Sequence, residues 1–471
     1  MKTQKTRAPI IMQHELTSRC NNKCGFCYNP ERCLSVFTPR ETDKQRNISV
    51  AKKSIEKGIM AVCLTGGEPL LMGEHFFEIM KIYKQNGCYV SINSNGRLIT
   101  KDVAKRLADE GLKSALISIH GTEDLHNFMV GDSAFQETIN GIKNLIEVGI
   151  HVVPNFVTTA KNVYGLKDVG DLMLSLGIKL MTSTPFLPSW GAESHKEFLL
   201  YTEHYKKYFE SINYIRDLGI KIDSTLPIPA CVLIKMFPDD WKNFLEVLSP
   251  RVCMAGKSFG VVSPDGHFRS CIQAPYLEKF GGNVIDAYDD SWKNANKWAE
   301  MKLIPEECQK CKALDVCGGG CRTGCMWDNK GSVSGSTMYM GKALTKEEAK
   351  YFLKRAEVIT PIKNGKIFKF KSEIKFRDEG WGVIIFNPNF QSFTVVKEIF
   401  NFKERSFTAS AKLINVLVSM GAVEEVEDNN YLKLDSEVLP CGTLLPRLGK
   451  NLIDNEKVYC LRADTGERYY F

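Results

Sequence analysis

The stretch that decides the fold reads Cys20-Asn-Asn-Lys-Cys24-Gly-Phe26-Cys27, three cysteines at CxxxCxxC spacing directly after an apolar segment. Three thiolates at this spacing can hold three irons of a [4Fe-4S] cube and leave the fourth iron without a protein ligand. Such an iron can bind and activate a small molecule, which a fully ligated electron carrier cannot do. The alternative is a zinc knuckle, but zinc sites usually supply four ligands in CxxC pairs.

Between residues 10 and 225, helical patterns alternate with six apolar, strand-like segments, at 10–16, 60–65, 89–93, 116–120, 151–157 and 179–183. Repeated βα units with short loops predict an α/β fold with a parallel sheet. Six units suit a partial (β/α)6 TIM-like barrel, in which chemistry occurs at the C-terminal ends of the strands. The cysteine triad follows the first strand, where that rule would place it.

Together these features resemble the radical S-adenosylmethionine (SAM) superfamily, whose signature is this cysteine spacing with an aromatic residue, here Phe26, before the last cysteine. Gly66-Gly67-Glu68-Pro69 follows the second strand and is similar to the superfamily's GGE motif, which binds the amino group of SAM. The two glycines let the backbone approach a ligand closely, and the carboxylate can pair with an ammonium.

The same resemblance implies further contacts with SAM. Ser118 matches a serine on the fourth strand that contacts SAM in related enzymes. Asn155, on the fifth strand, is a second candidate for a contact with SAM. The equally favoured alternative is a polar residue at a strand end whose hydrogen bonds are satisfied within the protein. Relatives often have an arginine where this chain has Val130, so the resemblance implies no arginine contact at that position.

A second cysteine block begins with Cys253-x12-Gly266-x4-Cys271 and continues with Cys308-x2-Cys311-x5-Cys317-Gly-Gly-Gly-Cys321. Cysteines two residues apart can bind one metal centre, and glycines let the chain fold tightly around it. The block resembles the SPASM domain, an auxiliary-cluster module of peptide-modifying radical SAM enzymes. The resemblance implies one auxiliary [4Fe-4S] cluster on Cys253, Cys271 and Cys321, and a second on Cys308, Cys311 and Cys317.

The fourth ligands of these clusters stay open. The family's last cysteine falls in a region where this chain has none, 335–341, so Cys325 is the nearest candidate for the second cluster, and Cys441 and Cys460 are alternatives. The first cluster lacks a cysteine that some relatives have, and is either open at one iron or completed by water or a non-cysteine ligand. The cysteines that match no motif are expected to be core or surface thiols: Cys33, Cys63, Cys88 and Cys231.

Composition limits the compartment and the partners. The chain has 471 residues, which predicts two or three domains. Its 16 cysteines, beside an N-terminus that does not resemble a signal peptide, favour clusters over disulfides and predict a reducing, cytoplasmic environment. No segment approaches the length of a membrane span, so no membrane partner is expected. A net charge of +7 is mild for this length and does not require a nucleic-acid partner.

The C-terminal region is predicted to be a small winged-helix-like module. The pattern predicts a half-exposed strand at 366–377, a return strand at 381–386, helices at 394–402 and 408–420, and a hairpin across 423–434. This order, with Arg-Asp-Glu-Gly-Trp at 377–381, resembles the RiPP recognition element. Domains of that type capture the leader of a ribosomal precursor peptide by adding it as a strand to an exposed edge.

Three lysines in the strand predicted at 366–377 are relevant to whether this module binds a leader peptide. Lys369, Lys371 and Lys375 are predicted to share one face, where they either attract an acidic leader or protect an edge strand from aggregation. One alternative is a DNA-binding winged helix, but the second helix carries only Lys412, and DNA-binding proteins place cations on the recognition helix. A plain structural appendage is the other alternative.

The predicted domains are a radical SAM partial barrel at 1–225, a SPASM domain at 226–345, a winged-helix-like module at 346–435 and a tail at 436–471. The resemblance implies a maturase that reductively cleaves SAM to a 5′-deoxyadenosyl radical and abstracts hydrogen from a ribosomally synthesised precursor peptide with a leader. The product would carry a thioether or a carbon–carbon crosslink. The implied cofactors are SAM and three [4Fe-4S] clusters, one for each cysteine set, with a reductant such as flavodoxin or ferredoxin.

Other functions are kept as alternatives. An oxidase of protein residues, similar to sulfatase maturases, or a maturase of a small cofactor would use the same barrel. A redox sensor that binds DNA belongs to a different class, and Gly66-Gly67-Glu68 would have no purpose in it.

Overall fold

The structure is a computed structural model, and it describes residues 6–28, 43–187, 197–224, 229–239, 241, 253–274, 281–299, 306–323, 344–353, 367–389, 392–396, 411–426, 432–433, 459–462 and 468–470. None of the helices in these ranges combines the length and apolar character that a membrane crossing requires.

A ten-stranded sheet organises the first 300 residues. Its strands are β1 (Ile11–Glu15), β2 (Ala61–Thr65), β3 (Tyr89–Ser94), β4 (Ser114–Ser118), β5 (His151–Thr158), β6 (Leu180–Pro185), β7 (Lys221–Ser224), β8 (Phe259–Val262), β9 (His267–Arg269) and β10 (Gly282–Asn283). They lie in the order β10-β9-β8-β1-β2-β3-β4-β5-β6-β7. The eight strands β8-β1-β2-β3-β4-β5-β6-β7 are all parallel to one another. The pairs β8–β9 and β9–β10 are antiparallel.

The predicted α/β fold with a parallel sheet is confirmed, and all six predicted strands are present. The sequence patterns did not predict β7, or the addition of β8–β10 to the sheet beside β1. All five residues of β2 are buried, as expected for a strand of a parallel sheet that is covered on both faces. Because β8 pairs with β1, the cysteine block that follows β9 is held close to the loop that follows β1.

Helices connect the strands and cover the sheet. They are α1 (Lys44–Glu56), α2 (Glu74–Gln85), α3 (Lys101–Asp109), α4 (Glu123–Val130), α5 (Phe135–Glu147), α6 (Leu166–Ser175), α7 (Thr202–Asp217), α8 (Ala230–Met236), α9 (Val284–Trp298), α10 (Glu306–Gln309), α11 (Leu314–Cys317) and α12 (Lys346–Leu353). In α5, Ile139, Ile142 and Leu145 recur at helical spacing and are buried in the main hydrophobic core. The core therefore lies between the helices and the sheet.

The C-terminal region forms two further sheets. Its elements are β11 (Ile367–Phe370), β12 (Lys375–Asp378), β13 (Val383–Asn387), β14 (Ser392–Val396), α13 (Ala411–Ser419), β15 (Val423–Val426), β16 (Leu432–Lys433), β17 (Tyr459–Arg462) and β18 (Arg468–Tyr470). One sheet has the order β15-β11-β16 and the other the order β12-β13-β14-β17-β18. Cys460 lies in β17, whereas Cys325 and Cys441 lie outside the described residues.

These sheets correct several predictions for this region. The segment 366–377, predicted to be one strand, contains two strands that belong to different sheets. A helix was predicted at 394–402, but the first three residues of that segment belong to β14. Ser392-Phe-Thr-Val-Val is rich in β-branched residues and buried throughout, which favours an interior strand over a helix. The predicted hairpin at 423–434 is wrong because β11 lies between β15 and β16. The return strand and the helix at 408–420 are confirmed by β13 and α13.

The predicted lysine face is also wrong. Lys369 lies in β11 and Lys375 in β12, so the two residues cannot share one face of one strand. The Lys375 ammonium lies 3.5 Å from the Met60 carbonyl, and burial lowers its pKa. This lysine therefore packs against the parallel sheet instead of facing a leader peptide.

The β12–β14 segment closes the N-terminal end of the parallel sheet, opposite the cysteine triad. Ile384, Phe386, Phe393 and Val395 form a buried cluster with residues at the N-terminal ends of β1, β2 and β3. These positions alternate along β13 and β14, so one face of the antiparallel sheet supplies the contact. The C-terminal region is thus part of the same packed body as the barrel.

A buried arginine fixes this contact. The Arg377 guanidinium donates hydrogen bonds to the carbonyls of Ala8 (2.8 Å), Pro9 (2.8 Å) and Gly58 (2.9 Å), and to the Glu379 carboxylate at 2.6 Å. Only 3% of Arg377 and 9% of Glu379 are exposed, so both charges depend on these partners. The Arg-Asp-Glu-Gly-Trp sequence therefore serves packing in this structure.

We predict that Arg377→Met lowers the free energy of unfolding by about 3–5 kcal/mol, because Glu379 is left buried without its charged partner. Denaturant unfolding followed by circular dichroism measures the change. Lys101→Met is the control, since its contact with Glu147 spans 3.8 Å at the surface, and it should change stability by less than about 0.5 kcal/mol. Equal effects of the two substitutions would contradict the role given to Arg377.

Candidate active site

The cysteine loop and the glycine loop run side by side at the C-terminal ends of β1 and β2. The Gly67 N–H donates to the Thr17 carbonyl at 2.6 Å, and the Glu68 N–H donates to the Arg19 carbonyl at 2.8 Å. These bonds join the segment that leads into Cys20 to the loop that follows β2. The two motifs that lie far apart in sequence are therefore one unit in the fold.

Both glycines are required by this close contact. A Cβ atom on Gly67 would lie 2.0 Å from the carbonyl oxygen of Arg19, and one on Gly66 would lie 2.2 Å from that of Thr17. Gly66 also has φ +142°, which disfavours any residue with a side chain. Pro69 follows and opens a 3-10 turn, Pro69–Met72. The loop is therefore shaped so that backbone groups lie close to the cysteine loop.

Glu68 links the glycine loop to the end of β3. Its fully buried carboxylate accepts hydrogen bonds from the Ser94 hydroxyl (3.0 and 3.1 Å), the Asn95 N–H (2.9 Å) and the Leu70 N–H (3.2 Å). Burial raises the pKa of this carboxyl to about 7. The proposed pairing with the ammonium of SAM stays a prediction, and the structure adds a positioning role for the same carboxylate.

Asn95 extends this network to the cysteines. Its side-chain amide donates to the Asn21 side-chain oxygen at 2.6 Å and lies 3.9 Å from the Cys20 sulfur. The Asn22 N–H points at the same sulfur from 3.4 Å. Donors around a sulfur stabilise a thiolate bound to iron, so the surroundings of Cys20 fit a cluster ligand.

Arg97 is a residue of this site that the sequence analysis missed. Its guanidinium donates to the Asn21 carbonyl (2.8 Å) and the Asn22 side-chain oxygen (2.9 Å), both inside the cysteine triad. It also pairs with Asp132 at 2.8 Å and Glu137 at 2.5 Å, which hold it in place. The signal available in the sequence was its position just after a predicted strand, where functional residues of such barrels occur.

Phe26 closes one side of the cysteine loop. It is 5% exposed and belongs to a buried cluster with Met129, Phe186, Phe198 and Leu199, against which Cys24 also packs. Its ring lies edge-on to the His120 ring, with 4.8 Å between the centroids. This packing separates the cysteine loop from solvent on that side.

Ser118, the last residue of β4, is paired in register with Asn155, which lies inside β5. The Asn155 side-chain oxygen accepts hydrogen bonds from Thr182 (3.0 Å) and Thr184 (2.9 Å) of β6. That arrangement orients the amide so that its nitrogen is the group that can donate to a ligand. Their contacts with SAM stay predictions.

The first auxiliary set of cysteines converges beside the barrel. Burial raises the pKa of Cys271 to about 12, and the proximity of Cys321 and Cys253 contributes to the rise. The Cys271 sulfur also lies 4.0 Å from the Thr323 hydroxyl. The three thiols assigned to one cluster by resemblance are thus neighbours in the fold.

A buried ion pair connects this set to the barrel. Arg269, the last residue of β9, donates to the carboxylate of Glu15, the last residue of β1, at 2.5 Å. The same guanidinium donates to the Ile272 carbonyl at 2.8 Å and the Ser263 hydroxyl at 3.1 Å. Since Ile272 directly follows Cys271, the ion pair fixes the auxiliary set relative to the end of β1.

The second auxiliary set lines a cavity. Cys308, Cys311 and Cys317 border about 290 Å³ of atom-free space that is open in part to solvent. The Leu344 N–H donates to the Cys311 sulfur at 3.4 Å. Cys325, predicted to complete this set, lies outside the described residues.

Within the described residues, no group of three or more His, Cys, Asp or Glu side chains is arranged to hold a single metal ion. The surroundings of Cys20 and of the second auxiliary set fit an iron–sulfur cube. A zinc ion needs its sulfurs to converge on one point, at about 2.3 Å. In a cube each thiolate binds a different iron, so the sulfurs surround a space instead. Thiols that line a cavity and accept N–H donors match the second geometry.

Comparison with known proteins gives related sequences and folds. Residues 14–171 match the radical SAM superfamily. An AdoMet-dependent heme synthase of Oleidesulfovibrio alaskensis is 26% identical over 329 residues, which cover 66% of this chain and 82% of that protein. An Fe-coproporphyrin III synthase of Methanosarcina barkeri is 25% identical over 386 residues, which cover 75% of this chain and 92% of that protein.

Two solved structures share the fold. The anSMEcpe protein with bound AdoMet has a TM-score of 0.53 and 20% identity, over 74% of this chain and 93% of that one. Streptococcus suis SuiB bound to the precursor peptide SuiA has a TM-score of 0.52 and 17% identity, over 71% of this chain and 75% of that one. At these identities the likeness concerns the fold alone.

We predict that Arg97→Met makes the iron held by the cysteine triad labile, because two charge-assisted hydrogen bonds to the triad are lost, each worth about 1.5–3 kcal/mol. Iron release to a ferrous chelator measures this after anaerobic reconstitution. A fast phase of about a third of the iron is expected, if three cubes fill. Arg106→Met is the control, since Arg106 pairs with exposed Glu74 instead. A release curve identical to that of the wild type would contradict the prediction.

We predict that Glu68→Ala weakens SAM binding about tenfold or more and also lowers the free energy of unfolding by about 1–3 kcal/mol. Both effects arise because the N–H groups of Leu70 and Asn95 lose their buried acceptor. Calorimetric titration with SAM and denaturant unfolding measure them. Ser94→Ala separates the two roles of the carboxylate, since it should weaken SAM binding only if Glu68 acts by positioning. Wild-type affinity in Glu68→Ala would refute both roles.

Proposed function

Because residues 14–171 of this enzyme form a radical SAM domain, we propose that it is a maturase that removes a hydrogen atom from a carbon of a ribosomally made peptide. The observation that carries the proposal is the union of Cys20, Cys24 and Cys27 with the Gly66–Glu68 loop at one end of the sheet. Reductive cleavage of SAM at a cluster with one open iron supplies the hydrogen-abstracting radical when both groups are bound.

The chain's own residues position and protect the reacting groups. Cys20, Cys24 and Cys27 would hold the cluster, with Asn95 donating toward one sulfur. The loop that contains Glu68 would hold the amino end of SAM through its backbone and carboxylate. The buried cluster around Phe26 keeps water from one side of the site, which prevents quenching of a reactive species.

The charges near the strand ends favour a peptide over a porphyrin as the substrate. A porphyrin substrate carries several carboxylates and needs cations to bind them. Two guanidiniums near the strand ends are already engaged, that of half-buried Arg97 with Asp132 and Glu137, and that of buried Arg269 with Glu15. Across β4, β5 and β6 lie neutral hydrogen-bonding residues: Ser118, Asn155, Thr182 and Thr184. Neutral donors and acceptors suit the backbone of a peptide.

The solved structures support this class as well. One anSMEcpe structure holds a peptide named Kp18Cys, and SuiB is bound to its precursor peptide. Reductant, leader recognition and the bond that is formed remain proposals by resemblance: an electron donor such as flavodoxin or ferredoxin, and a thioether or carbon–carbon crosslink.

Modification of an iron porphyrin is the second candidate. It is favoured by the names of the sequence relatives, an AdoMet-dependent heme synthase and an Fe-coproporphyrin III synthase, which match 66% and 75% of this chain. This candidate belongs to the class of small-cofactor maturases and would use the same cysteine triad and glycine loop.

One anaerobic experiment separates the candidates. The reconstituted enzyme, with SAM and dithionite, is incubated either with the short peptides encoded beside its gene or with Fe-coproporphyrin III. A peptide whose mass changes in step with the formation of 5′-deoxyadenosine supports the proposal. A mass change of the porphyrin with unaltered peptides refutes it in favour of the second candidate. Cys24→Ala is the control and should form no deoxyadenosine.

A further inference from the structure

The cavity of the second auxiliary set contains a fourth thiol that no sequence motif identified. Among the described residues, its lining includes the thiols of Cys231, Cys308, Cys311 and Cys317 together with apolar residues and a glycine: Pro229, Ala313, Leu314, Gly319 and Leu344. Cys231 was expected to be a core or surface thiol; it packs against the main core and also borders this cavity. We infer that Cys231 is the fourth cysteine ligand of the cluster held by Cys308, Cys311 and Cys317.

The position of Cys231 is fixed by the core. It lies in α8, whose next two residues, Val232 and Leu233, are fully buried in the main hydrophobic core. Cys231 itself is partly exposed, on the side of the helix that borders the cavity. A thiol anchored by buried neighbours on a packed helix can hold a metal centre without moving the chain.

The opposite wall is shaped to curve around a cluster. Cys317 ends α11, and Gly318 follows in a left-handed conformation with φ +69°. The buried Arg322 guanidinium donates to the carbonyls of Gly318 (2.7 Å) and Gly320 (2.9 Å), which holds the glycine turn closed. The Leu344 N–H donates to the Cys311 sulfur from another side. The cavity thus has a rigid frame in addition to its thiols.

Of the other cysteines outside the motifs, Cys33 lies outside the described residues, and Cys63 and Cys88 differ from Cys231. Cys63 and Cys88 are buried, and their sulfurs lie near the carbonyls of Leu64 (4.0 Å) and Ile59 (3.6 Å). Neither borders the cavity. These two are packing thiols, as expected, and Cys88 provides a matched control for Cys231.

A cysteine at this place has a chemical consequence. Three cysteines would leave one iron of the cluster open to substrate or water, whereas a fourth thiolate closes it. A closed cluster serves electron transfer and does not bind a substrate atom. This conclusion holds whichever substrate the enzyme modifies, so it stands apart from the proposed function.

The test uses the full chain with Cys20, Cys24 and Cys27 all changed to alanine, so that only the auxiliary clusters remain. Cys231→Ala, Cys325→Ala and Cys88→Ala are each added to this background. Iron content, Mössbauer spectra, and electron paramagnetic resonance spectra of oxidised and reduced samples are recorded after anaerobic reconstitution. We expect Cys231→Ala to lose about four irons, or to yield a three-iron cluster on mild oxidation. The other two variants should match the background.

Cys231→Ser guards against a purely structural effect, because serine keeps the size of the side chain and can ligate through oxygen. An altered resonance spectrum of the reduced cluster in this variant, with unchanged circular dichroism, supports ligation. Spectra of Cys231→Ala and Cys231→Ser that both equal those of the background overturn the inference. A loss of iron confined to Cys325→Ala overturns it as well, in favour of the later cysteine.

Discussion

The buried carboxylate of Glu68 is the interaction on which the candidate site depends. It joins three segments that come from different parts of the chain: its own glycine loop, the end of β3 and, through Asn95, the cysteine loop after β1. A buried carboxylate is costly unless donors surround it, and here Ser94, Asn95 and Leu70 provide them. The stability of the strand ends and the geometry of the site are therefore coupled through one residue.

Buried arginines also fix the N-terminal end of the same sheet and the C-terminal end of β1. Arg377 ties the β12–β14 segment to the backbone before β1 and after α1, at the N-terminal end of the strands. Arg269 ties the auxiliary cysteines to Glu15 at the C-terminal end of β1. In both places a guanidinium satisfies several buried acceptors at once, which its planar set of donors allows. The barrel, the auxiliary block and part of the C-terminal region are thereby held as neighbours.

This arrangement separates the chemistry into regions with different demands. The cysteine triad lies where backbone groups and neutral side chains converge, which suits binding of SAM and of a substrate. Among the described residues, the second auxiliary cavity is lined by four thiols, apolar residues and a glycine. The C-terminal strands nearest the barrel serve packing, so a leader-binding role cannot rest on the sequence at 377–381.

The sequence by itself determined the features that depend on neighbours along the chain. The CxxxCxxC and GGE motifs, the six predicted strands and the parallel α/β fold follow from local spacing and periodicity. Tertiary structure alone brought Arg97 to the cysteine triad, placed Cys231 in the auxiliary cavity and divided 366–377 between two sheets. Each of these depends on partners distant in sequence, and a local pattern carries no information about which distant segment packs beside it. Burial and hydrogen bonding between such segments decided them, because a buried polar group or strand must find its partner wherever the fold supplies one.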